Sequence, residues 1–166
     1  MNGTFNADEI LEIAEQIERN GARFYRRAAE NIKKPKEHHL LLTLAAMEDE
    51  HEKIFAALRA ELDQQASDAD LDLDDQAGMY LRAVADGHVF DRNADPVELI
   101  KDGQSFEDIL RIALDLEKES VVYYQGVREM VPERFGRDKV DRIINEEMQH
   151  IATLSQELAA VGGQGQ

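Results

Sequence analysis

The sequence predicts an all-α fold, a four-helix bundle made of two similar helical hairpins joined by a long crossover that contains a short helix. The first observation behind this prediction is an internal repeat, because Glu48-Asp49-Glu50-His51 is followed 99 residues later by Glu147-Met148-Gln149-His150. A fixed offset of this kind indicates a duplicated structural unit. The second is that apolar residues recur at intervals of three and four around both motifs, as in amphipathic helices. The same offset relates four further pairs: Asn6/Ser105, Leu11/Leu110, Glu18/Glu117 and Tyr25/Tyr124.

The composition limits the classes of protein to which the chain could belong. Its 166 residues suffice for a single domain with a sizeable core, which we expect over residues 1–166. A net charge of −16 argues against nucleic acid or an anionic membrane as a partner. No apolar run approaches the roughly 18 residues of a membrane helix. The absence of cysteine excludes disulfides and thiolate metal sites, and we expect a cytoplasmic protein.

The first hairpin is predicted over about residues 6–62. Asn6-Ala7-Asp8-Glu9 is typical of a helix start, with a capping residue and a Glu three positions later. Lys33-Lys34-Pro35 then interrupts the helical pattern. Because Glu18 and Glu48 are equidistant from residue 33, an antiparallel turn there brings them to the same height. The predicted inner faces are Leu11, Ala14, Glu18, Ala22, Tyr25 and Ala29 in the first helix and Leu41, Leu44, Glu48, His51, Phe55, Leu58 and Leu62 in the second.

Residues 63–104 are predicted to form the crossover. An acidic stretch at 68–75 is followed by a predicted short helix over 79–90, whose apolar face would comprise Met79, Tyr80, Val84 and Val89. Asp95-Pro96 and Gly103 mark turns in the remainder. A connection of this length means that the third long helix need not be the simple neighbour of the second. The apolar residues of the crossover could close one end of the bundle or be buried by a second subunit, and both alternatives stay open.

The second hairpin is predicted over about residues 105–160. Ser105-Phe106-Glu107-Asp108 is another capping signal, and Pro132 and Gly136 mark the turn. Glu117 and Glu147 are equidistant from residue 132, so they too should lie at matching heights. The predicted inner faces are Leu110, Ala113, Glu117, Val121, Tyr124 and Val127 in the third long helix and Val140, Ile143, Glu147, His150, Leu154 and Leu158 in the last.

Four glutamates differ from the other acidic residues because they lie on these apolar faces. A carboxylate buried without compensation costs several kcal/mol or becomes neutral, and four in one core would also repel one another. The four are Glu18, Glu48, Glu117 and Glu147. Glutamates that lie off the apolar faces are predicted to be in water: Glu12, Glu15, Glu50, Glu52, Glu119 and Glu146.

Two divalent cations would neutralise the four carboxylates. His51 and His150 each lie three residues after one of the glutamates, so each Glu–His pair shares a helix face and could bind one ion. Carboxylate and imidazole ligands suit iron or manganese, and zinc stays open. We therefore predict a two-metal site with Glu18, Glu48, His51, Glu117, Glu147 and His150 as ligands. The alternative is a duplicated hairpin in which these residues form internal salt bridges.

Tyr25 and Tyr124 lie two helical turns after Glu18 and Glu117, on the same faces. A buried tyrosine hydroxyl needs a hydrogen-bond partner. We expect both hydroxyls to contact ligand carboxylates and to orient them.

The chain resembles the rubrerythrin branch of the ferritin-like superfamily over about residues 6–160. The resemblance is carried by residues 17–25 (IERNGARFY), 48–51 (EDEH), 116–120 (LEKES) and 146–150 (EEMQH). It implies a ferritin-like four-helix bundle with two iron ions bound by the six predicted ligands, the ligand set of di-iron carboxylate bundles. It also implies a homodimer, and oxidation of Fe(II) by hydrogen peroxide or dioxygen.

Two positions depart from the pattern of that family. Rubrerythrins proper carry a Cys-ligated rubredoxin module, whereas this chain has no cysteine, so electrons would come from an external donor protein. Rubrerythrins also carry a Glu three residues after the ligand of the third helix, where this chain has Ser120. This difference weakens the case for peroxide turnover through ligand exchange at that Glu. No fifth helix is expected after residue 160, which argues against a mineral-storing cage.

Three functions are therefore weighed. The leading one is a di-iron oxidoreductase, peroxidase-like or ferroxidase-like, which would make the protein an enzyme. The second is a protein that binds, buffers or delivers iron without turnover. The third is a helical dimer held together by structural zinc.

Overall fold

The computed structural model describes residues 7–65, 76–86 and 95–163, and within these residues it contains helices and no strand. The predicted all-α fold is confirmed. The α-helices are α1 (Ala7–Glu30), α2 (Pro35–Gln65), α3 (Gln76–Asp86), α4 (Phe106–Met130) and α5 (Arg137–Gly162), and 3₁₀ turns span Pro96–Leu99 and Glu133–Phe135. None of the described helices is both long and apolar enough to cross a membrane.

Helices α1 and α2 pack along each other to form the first hairpin, and α4 and α5 form the second. Pro35 is the first residue of α2, where its missing N–H leaves no helical hydrogen bond unmade. Ser105 caps α4, because its hydroxyl accepts from Asp108 N while the Asp108 carboxylate accepts from Ser105 N. Gly136 has a φ of 100° in the turn before α5, a conformation that favours glycine. The capping residue predicted for α1, Asn6, lies outside the described residues.

The interior consists of two apolar clusters, one on each side of a polar layer. The cluster on one side contains Leu11, Phe55, Leu58, Val127 and Ile143, and the one on the other side contains Phe24, Leu41, Leu44, Leu110 and Leu154. Every residue that the periodicity places on the four inner faces is buried, apart from Val121 and Leu158, which are half-buried. The polar layer lies between the clusters because its residues occupy the middle of the four long helices.

The short helix of the crossover differs from its prediction in position and in face. It spans Gln76–Asp86, whereas the prediction was 79–90, and residues 87–94 lie outside the described part of the chain. Its buried residues are Gly78 and Leu81, and Val84 of the predicted face is half-buried against the core. Met79 and Tyr80 of that face are 65% and 39% exposed, and Val89 lies outside the described residues. Helix α3 packs on α4, where Gly126 leaves room for the Leu81 side chain. The short helix thus turns the face that fits α4, which local periodicity does not encode.

Candidate metal centre

All six predicted ligands lie in the polar layer, and each of the four long helices supplies at least one of them. Their side chains are between 0% and 4% exposed. Their nitrogen and oxygen atoms form two groups, in each of which the potential ligand atoms lie within 4.8 Å of one another. The first group is Glu18, Glu48, His51 and Glu147, and the second is Glu48, Glu117, Glu147 and His150. Glu48 and Glu147 belong to both groups, as residues that bridge two neighbouring positions would.

The two imidazole rings turn their Nδ1 atoms towards the shared carboxylates. His51 Nδ1 lies 3.0 Å from Glu147 Oε1 and 3.5 Å from Glu18 Oε2. His150 Nδ1 lies 2.8 Å from Glu147 Oε2 and 3.3 Å from Glu48 Oε1. The rings stack with their centroids 5.8 Å apart. Glu147 therefore lies between the histidines of the two halves, one carboxylate oxygen towards each.

Burial raises the pKa of three carboxyl groups, those of Glu18, Glu48 and Glu117, well above the ordinary value, and neighbouring carboxylates raise it further. Burial acts in the same direction on Glu147. There, however, the close contacts of the carboxylate with the two histidines outweigh burial and lower the pKa below the ordinary value. Glu147 is the carboxylate that stays ionised most readily.

On the two histidines burial acts in the opposite sense, because it disfavours the charged imidazolium form. Burial acts to lower the pKa of His150, but Glu117, Glu147 and Glu48 outweigh it and raise that pKa to about 12. The pKa of His51 is also raised, because its contacts with carboxylates outweigh its burial. Protons therefore balance part of the negative charge when no metal is bound, and a divalent cation must displace them.

The unpartnered polar atoms of the cluster test whether its residues fit a pair of metal ions. Buried polar atoms almost always have a hydrogen-bond partner. In this cluster several have none: Glu18 Oε1 and Oε2, Glu48 Oε1, Glu147 Oε2, and both ring nitrogens of His150. Because these atoms are carboxylate oxygens and imidazole nitrogens, they offer what iron or manganese takes as ligands. The residues fit two divalent cations.

Tyr25 and Tyr124, which were expected to orient ligand carboxylates, differ in the hydrogen bonding of their hydroxyl groups. Tyr25 donates a hydrogen bond to Glu117 Oε1, which belongs to the other half of the repeat. Tyr124 is equally buried, and the charge of Glu18 adds to burial in raising the pKa of its hydroxyl, but that hydroxyl has no hydrogen-bond partner. Each tyrosine thus lies near a glutamate of the opposite half, as expected, but only the Tyr25 hydroxyl has the geometry of a hydrogen bond.

Glu146 is the residue of the site that the sequence prediction missed. It was predicted to lie in water, but it is half-buried, and its Oε2 lies 2.7 Å from Nε2 of His51. The other off-face glutamates divide as follows: Glu12 and Glu50 are exposed, and Glu15, Glu52 and Glu119 are half-buried. Helical spacing gives no signal for the contact of Glu146, because the contact depends on how closely α5 approaches α2.

A cleft of about 760 Å³ between α1 and α4 reaches the cluster from the surface. Its inner end is lined by Tyr25, Glu48, Glu117 and Ser120. Gly21 keeps this end open, since a Cβ there would lie 3.2 Å from Glu48 Oε2. The rest of its lining is mainly apolar and acidic, and includes Ile13, Ile17, Phe24, Leu99, Ile112 and Leu116 together with Glu9, Glu12, Asp95, Glu98, Asp115 and Glu119.

The fold and the cluster together define a class of protein, the helical bundles with a buried carboxylate–imidazole centre. The chain belongs to the rubrerythrin family, because the family model described as Rubrerythrin matches residues 9–158. The resemblance inferred from the motifs is therefore confirmed at the level of the family.

A solved structure shares the fold. It is a ferritin-like diiron-carboxylate protein from Thermotoga maritima, and it aligns with a TM-score of 0.68 over 96% of this chain and 98% of the other. At 19% sequence identity the likeness concerns the fold. No curated protein matches the chain significantly.

Proposed function

We propose that the protein is a di-iron oxidoreductase in which Fe(II) is oxidised by hydrogen peroxide or dioxygen and is reduced again by a separate electron-donor protein. The observation that carries the proposal is the pair of overlapping ligand groups, which share Glu48 and Glu147 and are buried among apolar side chains. Two ions held by shared carboxylates are close enough to act on one small oxidant together.

The ligand roles follow from the two groups. Glu18 and His51 would hold one ion, Glu117 and His150 the other, and the two shared glutamates would contact both. When bound, the two irons would each supply one electron to the oxidant. The apolar clusters on both sides keep bulk water out, and this strengthens the interaction of the carboxylates with the cations.

Access and positioning belong to residues of α1 and α4. The cleft offers a small oxidant a route to Glu48 and Glu117. Tyr25, at its inner end, donates to Glu117 and so fixes the orientation of that carboxylate. Ser120 is also there, but its hydroxyl donates to the carbonyl of Leu116 at 3.1 Å, as in an ordinary helix. Ser120 is thus not placed as a seventh ligand, and this favours a plain six-ligand site.

The test is anaerobic loading of the metal-free protein with Fe(II), followed by addition of peroxide or of dioxygen. We expect two irons per chain and rapid growth of ferric absorption in the near ultraviolet. Glu147→Ala should abolish both results, whereas Glu50→Ala, an exposed glutamate on the same turn as His51, should leave them unchanged. Bound iron that gives no ferric absorption with either oxidant would exclude redox chemistry at this site.

Ser120 favours a second function, iron binding and delivery without turnover. Ser120 occupies the position where the family has an additional glutamate. No carboxylate at that position is therefore available for redox-linked ligand exchange. Adding a reductant to the same experiment distinguishes the two functions. Oxidation in a single turnover that no reductant sustains would favour iron handling, and repeated turnover would favour the oxidoreductase. Stoichiometric zinc in protein purified without added metal would instead favour a structural role. The expected homodimer and the identity of the electron donor stay predictions.

A further inference from the structure

His51 is held at both of its ring nitrogens. Nδ1 faces the cluster, and Nε2 lies 2.7 Å from Glu146 Oε2. The second carboxylate oxygen of Glu146 accepts a hydrogen bond of 3.0 Å from Nε of Arg142. The His51 side chain is buried and that of Glu146 is 26% exposed, so water reaches their contact from the Glu146 side alone. A chain of contacts therefore runs from the surface at Arg142 to the centre of the cluster.

The repeat has no equivalent of this chain of contacts at His150. The positions that correspond to Glu146 and Arg142 in the first half are Met47 and Thr43. Methionine is a weak hydrogen-bond acceptor, and the Thr43 hydroxyl is occupied with the carbonyl of His39. Nε2 of His150 is buried and has no hydrogen-bond partner. The six ligands are two copies of a set of three, but the outer contact of His51 has no copy at His150.

A carboxylate at the outer nitrogen of a metal-binding histidine has a definite effect. It retains the proton on Nε2, which leaves the lone pair of Nδ1 directed at the metal, and it makes the ring a better donor. It also fixes the plane of the ring, so less freedom is lost when a metal binds. His51 has all three advantages, and His150 has to bind with an Nε2–H that no acceptor compensates.

We propose that Glu146 is a positioning residue for His51, and that it makes the metal position formed by Glu18 and His51 bind a divalent transition-metal ion more tightly than the position formed by Glu117 and His150. The inference rests on the proposed two-metal function. It adds to that function a difference in affinity between the two metal positions. It also names a residue outside the six ligands that causes this difference.

The test uses single-site backgrounds of the full-length chain, with Co(II) alone as the probe. Glu117→Ala should retain the position of His51, and Glu18→Ala should retain that of His150. Addition of Glu146→Ala should weaken Co(II) binding about 10- to 100-fold in the first background and should leave it unchanged in the second. Glu146→Gln keeps an acceptor oxygen without the charge, so its loss should be smaller. The visible Co(II) spectrum should change only in the Glu117→Ala background.

The matched control is Glu50→Gln, which removes the same charge from an exposed glutamate next to His51 that pairs with Lys53. It should alter neither affinity nor spectrum. Equal effects of Glu146→Ala in both backgrounds, or an effect of Glu50→Gln as large as that of Glu146→Gln, would overturn the inference and leave the two-metal function intact. A parent chain that binds no Co(II) would overturn both, so the two failures are distinguishable.

Discussion

The hairpins α1–α2 and α4–α5 present the same side chains to the bundle interior but surround them differently. Each contributes one glutamate that belongs to a single ligand group, one glutamate that belongs to both, and one histidine. Outside this set the halves diverge. Beyond the six predicted ligands, the second hairpin carries a carboxylate, that of Glu146, which contacts the histidine of the first. Among the described residues, α3 packs on α4 of the second hairpin, whereas a 3₁₀ turn packs on α1 of the first.

This difference indicates which positions the cluster constrains. A ligand must be a carboxylate or an imidazole at a fixed height, so both copies of the repeat retain it. A residue one step further out only supports a ligand, so Met47 can stand where the other half has Glu146. Under the proposed function, the two halves would supply one symmetric set of ligands and still create two unequal metal positions.

The largest effect is expected from removing ligands that belong to both groups. Glu48→Ala and Glu147→Ala each delete a member of both ligand groups, so each should lose both metal equivalents. Glu18→Ala and Glu117→Ala delete a member of only one group, so each should keep one equivalent. Equilibrium dialysis with Fe(II) or Co(II), followed by elemental analysis, measures the difference.

The comparison between the halves makes this prediction strict. Removal of equivalent residues should give equal stoichiometries, whichever hairpin carries the substitution. A Glu18→Ala protein that retains two metals and its full melting temperature would contradict the assignment of that residue as a ligand. Glu50→Ala is the control, because its side chain is exposed and pairs with Lys53 on the next turn of the same helix.

A second prediction concerns the stability of the metal-free protein as a function of pH. The raised pKa values of Glu18, Glu48 and Glu117 mean that the folded state holds protons that the unfolded state releases above about pH 4.5. For each such group, the free energy of unfolding falls by about 1.4 kcal/mol for every unit by which the pH rises, as long as the folded state keeps its proton and the unfolded state has lost it. The metal-free melting temperature should therefore fall as the pH rises from about 6 to about 9.

The two remaining kinds of ligand determine whether that sign holds. The raised pKa of His150, about 12, stabilises the folded state below about pH 6.5, and this contribution is lost as the pH rises, in the same direction as for the three carboxyl groups. The lowered pKa of Glu147 acts oppositely, but its contribution is complete above about pH 4.5 and constant in this interval. Calorimetry of chelated and metal-loaded protein checks the prediction. A melting temperature of the chelated sample that rises between about pH 6 and about pH 9 would contradict it.

Glu18→Gln and Glu117→Gln sharpen the same measurement. Each replaces a carboxyl group by a neutral side chain of the same shape, so each should flatten the pH dependence of the metal-free protein by a similar amount. Glu50→Gln should not change it. A variant from one half that flattens the dependence while its counterpart does not would show that the halves differ in their ligands as well as in their surroundings.

A third prediction addresses the additional helix of the second half. A Cβ on Gly126 would lie 2.6 Å from Cδ2 of Leu81, so Gly126→Ala should force α3 away from α4. We expect a loss of about 1–3 kcal/mol, the usual range for overpacking. Gly162→Ala, where nothing lies within 4 Å of the added methyl group, should cost nothing. Urea unfolding of both variants measures the difference, and equal stability would show that the α3–α4 contact is not tightly packed.

The equivalent of Gly126 in the first half is Arg27, which pairs with Glu30 and Asp102 at the surface. This pair of positions illustrates what could be predicted from sequence. The inner faces could be predicted, because helical spacing alone places Leu11 or Leu110 against the opposite helix. The height of the six ligands could also be predicted, because rigid helices on either side of a turn keep equal distances from it.

Contacts that depend on the approach of one helix to another could not be predicted. The buried face of α3 is one case, because the side of a short helix that is buried depends on its partner, and here Leu81 is buried where α3 meets Gly126. The contact between Glu146 and His51 is another, because residues on α5 and α2 meet through tertiary packing. The ligand role of the six residues stays a prediction, although their convergence is observed.

The smallest effect is expected at the two tyrosines, where the halves differ by one hydrogen bond. Tyr25→Phe removes the donor to Glu117 and leaves a buried carboxyl oxygen unpartnered, so the metal-free protein should lose about 1 kcal/mol of unfolding free energy. Tyr124→Phe removes a buried hydroxyl that has no partner, so the change should be close to zero or slightly stabilising. Urea unfolding of chelated samples compares the pair. Equal losses would mean that the Tyr124 hydroxyl is bonded in solution, and the halves would then be more alike around the cluster than their contacts indicate.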